Sequence, residues 1–108
     1  MIYEGRLVTV IRGMEKEWAS RVLHQFFPEL EKRGARPMGV FQTVIGNSQD
    51  FYIVIQFDNL AHREKVFAAM AKDPAWQKVE EAWLEVPTIA NIYTSMIKPV
   101  TPPKPNKK

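Results

Sequence analysis

The side chain with the most chemical promise in this sequence is Arg63. On a helical wheel begun at Leu60 it falls between Phe67 and Met70, inside an apolar stripe and not on a solvated face. A cation turned inward needs a partner, and two chemistries supply one. A strand carboxylate such as Glu4 would make a structural ion pair. An external carboxylate or carbonyl would instead use the planar fork of the guanidinium, as in ligand recognition. Arg6 shares a strand face with Glu4, His62 borders the same helical stripe, and Trp76 opens the buried face of the next helical piece. Glu4, Arg6, His62, Arg63 and Trp76 are therefore the candidate ligand-binding residues, with a small organic anion or an apolar molecule as the ligand.

No residue pattern names a reaction, and the catalytic residues are left unassigned. His24 lies opposite the aromatic stripe of its helix, on the solvent side. Two histidines far apart, with no supporting carboxylate motif, do not make a metal site. The chain has no cysteine, which excludes thiolate catalysis and zinc-thiolate sites. Glu80 and Glu81 are adjacent and point about 100° apart on a helix, so they read as a solvated face and not as a carboxylate pair. Trp18, Trp76 and Trp83 recur at helical spacing, the pattern of a helix-sheet core more than of a cofactor cavity. Neither cofactor nor metal is expected.

These residues need elements to hold them. Ile2 to Ile11 is β-branched and apolar on both faces, as in an inner strand. Met14 to Lys32 places Met14, Trp18, Val22, Phe26 and Leu30 four apart, which predicts an amphipathic helix with a kink or break near Pro28. Gly34 stops it, and strands are expected over Val40 to Ile45 and Phe51 to Asp58, joined by a hairpin loop over Gly46 to Asp50. Asp58 or Asn59 can cap a helix from Leu60 to Lys72. Asp73-Pro74 caps and starts another to about Trp83, and Thr88 to Ile97 reads as a fourth strand.

The charge balance excludes one large class of function. Net charge is +3, but twelve of the fifteen Lys and Arg precede Pro99 beside all twelve acids, so the folded body is neutral and the excess lies in Lys104, Lys107 and Lys108. That leaves no basic face of the kind a nucleic-acid partner needs. No apolar run approaches membrane-span length and no leader is evident, so we expect a soluble, complete, cytoplasmic chain. Residues 1–98 make one domain. Residues 99–108, PVTPPKPNKK, read as a disordered, basic, proline-rich tail.

The element order predicts an α+β fold, a ferredoxin-like β-α-β-β-α-β sandwich with an antiparallel four-stranded sheet. Two helices can cover only one sheet face, yet the strands are apolar on both, so a homodimer is expected to cover the second. Tyr3-Glu4-Gly5-Arg6, Phe27-Pro28, Gly39, Leu60-Ala61-His62-Arg63 and Asp73-Pro74-Ala75-Trp76, in this order and spacing over about residues 2–98, resemble the NIPSNAP family. The chain departs from the family pattern at His62, Gly5 and Ile55. The resemblance implies a dimeric α/β barrel, two ferredoxin-like subunits with their sheets face to face. Three roles stay open: a small-molecule binder, a cofactor-independent enzyme resembling the monooxygenases of similar barrels, and an interaction or structural dimer module without catalysis.

Overall fold

The computed structural model describes residues 1–100. The tail expected from residue 99 lies, from residue 101 onward, outside the described residues. Four strands, β1 (Ile2–Val10), β2 (Arg36–Gln42), β3 (Asp50–Phe57) and β4 (Ile89–Ile97), form one antiparallel sheet in the order β2-β3-β1-β4. This is the ferredoxin-like arrangement expected from the sequence, with β1 and β3 in the middle. Helical segments α1 (Glu15–Arg21), α2 (Phe27–Glu31), α3 (Leu60–Ala71) and α4 (Pro74–Glu85) supply the other layer.

Alternation along β3 sets the core. Phe51, Ile53, Ile55 and Phe57 all point to the helices and are buried, and Val8 and Val10 of β1 join them. Trp18, Phe26, Phe27, Leu30, Val66, Met70 and Trp76 close the core from the helical side. Truncating Ile55 or Phe57 to alanine would cost about 2 to 5 kcal/mol, through lost burial plus the cavity left behind.

The irregularity expected near Pro28 is present in a specific form, and the expected bounds of the second strand shift. The helix from Met14 is distorted just before Pro28: residues Val22–Phe26 form a π-helical turn, and the Phe27 N–H reaches back five residues to the Val22 carbonyl. Pro28 has no N–H to give to the preceding turn, and the wider turn accommodates that loss without ending the helix. The helix then closes at Gly34, with φ +86° and the Ala35 N–H donating to the Leu30 carbonyl at 3.1 Å. The second strand, expected over Val40 to Ile45, runs instead over Arg36–Gln42, and Val44 and Ile45 stand almost fully exposed in the hairpin loop. Pairing decides this. Phe41 and Gln42 meet Tyr52 and Phe51, the Thr43 N–H closes the hairpin on the Asp50 carbonyl, and β3 offers nothing further for Val44 to pair with. Pro37 is tolerated because β2 is an edge strand with a bulge between Pro37 and Gly39.

Both later helices start on the expected caps. The Asn59 Oδ1 accepts from the His62 N–H at 2.8 Å, and the Asp73 Oδ1 accepts from the Ala75 N–H at 3.0 Å with Pro74 at the first helical position.

Candidate functional site

Glu4 is the fixed point of the site. It lies on the helix-facing side of β1 with no exposed surface, where an unpaired carboxylate would be strongly disfavoured. Two arginines compensate, one on each oxygen. Arg6, next on the same strand face, donates its Nε–H to Oε2 at 2.5 Å. Arg63, near the start of α3, donates its Nε–H to Oε1 at 2.6 Å. The structural ion pair between Arg63 and Glu4 is thus present, and it is one half of a triad.

The triad's charges do not cancel. Arg63 has Glu64 at 3.5 Å as a second carboxylate, but Glu64 is largely in solvent and the contact is weak. Arg6 makes no other ion pair among the described residues. Its guanidinium carbon lies 5.1 Å from the Phe26 ring centre and 5.5 Å from that of Phe67, while Arg63 takes Phe67 at 5.1 Å. Aromatic faces hold a cation without neutralising it, so Arg6 keeps its charge in a partly dry place.

A cavity of about 240 Å³ opens there. Arg6, Phe26, Phe67, Trp76, Glu80 and Trp83 line it. A second cavity of about 490 Å³ lies between α1, α4 and the start of β4, with Trp18, Arg21, Leu84, Thr88 and Ile89 in its wall, and it shares Glu80 and Trp83 with the first. Trp83 is held in place from several sides. Its indole N–H donates to the Gln25 Oε1 at 2.8 Å, its ring meets Trp76 edge-on at 5.2 Å, and the Arg21 guanidinium stands 5.9 Å from its centre.

Of the five residues singled out from the sequence, Glu4, Arg6 and Arg63 come together directly, and Arg6 and Trp76 share a cavity wall. His62 is elsewhere. Its Nδ1 accepts from the Asp58 backbone N–H at 3.1 Å, which requires the tautomer whose Nε2–H donates to the Arg33 carbonyl at 3.2 Å. Both ring nitrogens serve the backbone, and His62 lines neither cavity. It is a strut between the end of β3 and the turn after α2.

Glu80, Trp83, Phe26 and Phe67 were not singled out as ligand contacts. For Glu80 a signal existed: it follows Trp76 by four and precedes Trp83 by three, which puts it on the stripe that the tryptophans define. Its adjacency to Glu81 suggested a solvated face instead. The 490 Å³ cavity draws on two segments far apart in the chain, residues 18–21 and 80–89, and leaves no local pattern to read.

Displaced acidities mark structural clamps. Arg33 pairs with both Glu29 of α2 and Asp73, the cap of α4. The Arg33 hydrogen bond is the main cause holding the Glu29 carboxyl below its ordinary range. Asp73 is lowered first by the Ala75 N–H it caps and then by Arg33. Asp58 is lowered mainly by Arg36, at 2.8 Å.

A family model for NIPSNAP proteins matches residues 3–102 of the chain. Among solved structures, an uncharacterised NIPSNAP domain protein from Burkholderia xenovorans superposes with a TM-score of 0.82 at 19% identity, covering 96% of this chain and 100% of that one. A NIPSNAP family protein from Agrobacterium tumefaciens gives 0.78 at 20%, covering 92% of each. A Nitrosomonas europaea protein, provisionally assigned as an antibiotic biosynthesis monooxygenase, gives 0.66 at 9%, covering 94% of this chain and 100% of that one. At such identities the likeness speaks for the fold alone. No curated protein matches the chain. With the family's pattern running through all four strands and all the helices, the chain belongs to the NIPSNAP family.

Proposed function

We propose that this protein binds a small organic anion in the cleft between helices and sheet, with Arg6 as the anchor and Glu4 and Arg63 as the pair that positions it. The observation that carries this reading is Arg6 itself: it shares one buried carboxylate with a second arginine and borders a 240 Å³ cavity walled by aromatic rings. A carboxylate with an apolar body complements that wall in both charge and character. Arg63 already has two carboxylate neighbours and acts through Glu4.

In the same reading the protein works in the cytoplasm as a homodimer that closes an α/β barrel. Phe41, Tyr52, Tyr93 and Ile97 lie on the sheet face away from the helices and are exposed, with Leu7 between them. Gly5 lies on that face too, and a Cβ added there would meet nothing within 4 Å, so no neighbour in the chain requires a glycine at that position. Large apolar side chains standing together on one sheet face are the kind of surface a second subunit covers.

Calorimetric titration with phenylacetate tests the anion site. Wild type is expected to bind, Arg6→Gln to lose about tenfold or more in affinity, and Glu80→Gln to gain severalfold because a carboxylate on the cavity wall repels the ligand. Absence of binding by wild type and by Glu80→Gln to any of a panel of organic acids would sink the reading.

A further inference from the structure

The two cavities together point to a more specific ligand. We propose that it is an amphipathic carboxylate with a flexible apolar tail, whose head meets Arg6 in the small cavity and whose tail passes Trp83 into the large one. This inference rests on the anion reading above and deepens it.

Each cavity lacks what the other has. The one beside Arg6, at about 240 Å³, falls below the roughly 300 to 1,000 Å³ usual for ligand pockets, so it holds a head group and little more. The other, at about 490 Å³, falls inside that range, and Trp18, Trp83, Leu84, Pro87 and Ile89 make its wall mainly apolar. Its arginine is already committed. Arg21 donates its Nε–H to Glu17 at 3.0 Å and reaches the Trp83 carbonyl at 3.4 Å. So the large cavity offers burial without a spare cation, and the small one offers a cation without room.

The partition between them is thin. Glu80 and Trp83, three residues apart on the same face of α4, belong to both walls. A rigid compact anion would use only the Arg6 end. A molecule with its charge at one end and a chain at the other would use both, gaining affinity with each methylene that enters the larger space.

Binding of butyrate, decanoate and decanol to the full chain, measured by calorimetry below micelle-forming concentrations, tests this. Decanoate should bind more tightly than butyrate, by up to about fourfold for each added methylene that becomes buried. Decanol, with the chain and no charge, should bind more weakly than decanoate. Leu84 is 80% exposed, so Leu84→Gln should fold normally. It should reduce the decanoate gain and leave butyrate unchanged, and Ile89→Gln on the strand side should do the same. Arg6→Gln should weaken both acids. Equal affinity for butyrate and decanoate overturns the tail assignment and leaves the anion site standing. A chain-length gain that survives the Leu84→Gln, Ile89→Gln double variant also overturns it, because the tail then lies elsewhere, for instance on the open sheet face. Binding by neither acid removes both the tail and the anchor.

Discussion

The two faces of the sheet reverse the usual distribution of polarity. On the covered face, among Val8, Ile53, Ile55 and Phe57, sits a fully buried carboxylate with two arginines. On the uncovered face stand Phe41, Tyr52, Tyr93 and Ile97, large and exposed. A chain selected only for stability as a monomer would do the opposite, because buried ion pairs seldom stabilise more than apolar residues of the same size and exposed aromatics invite association. The contrast underlies both proposals: the covered face retains charge that the proposed ligand would meet, and the open face retains apolar surface that the proposed second subunit would cover.

The largest test of the contrast removes its centre. Glu4→Gln leaves two guanidinium groups facing each other with no carboxylate between them, and should destabilise the fold by about 3 to 5 kcal/mol in denaturant titration. If stability is unchanged, the triad is not an energetic unit. On the other face, Leu7→Asp places a charge at the middle of the sheet, opposite Tyr52 and Tyr93. Sedimentation at micromolar concentration should show a dimer for wild type, burying on the order of 1,600 Å² or more, and a monomer for the variant. A wild-type monomer would break the barrel proposal outright.

Smaller effects sharpen the roles within the triad. Arg63→Ala should cost about 2 kcal/mol and not the full penalty of an abandoned buried charge, since Glu4 keeps Arg6 and Arg63 is partly exposed. A loss as large as that of Glu4→Gln would mean that Arg6 does not compensate. The last test is pH. Glu29 and Asp73 titrate below their ordinary values in the folded chain. Their stabilisation is therefore complete above the ordinary carboxylate range and is lost as pH falls through the lowered values. The melting temperature should stay flat from neutrality to about pH 5 and then decline, and Arg33→Met should blunt that decline. An unchanged acid limb in Arg33→Met would show that the clamp between α2 and α4 does not govern acid stability.

Much of this was legible in the chain because it depends on local periodicity. Alternation places Phe51, Ile53, Ile55 and Phe57 on one face whatever they pack against, Asp73-Pro74 caps a helix through its own backbone, and the phase of Arg63 between Phe67 and Met70 demands an inward cation with a partner. Phase alone also makes Glu4 and Arg6 neighbours. What local pattern misjudges is equally instructive. The β-branched Val44 and Ile45 look like strand and lie in a loop, since strand propensity acts only where a partner strand continues.

Spacings of two to four residues along one backbone are enough to set the order of elements, the two-sided apolar strands and the need for Arg63 to be paired. Long-range packing is what gives Glu4 two arginines, sets Arg6 and not Arg63 beside the cavity, holds His62 between two backbone groups, and stands Trp83 between two spaces of unequal size. Those outcomes depend on distances between segments far apart in the chain, and such distances are set by how the helices settle on the sheet, which no local spacing encodes.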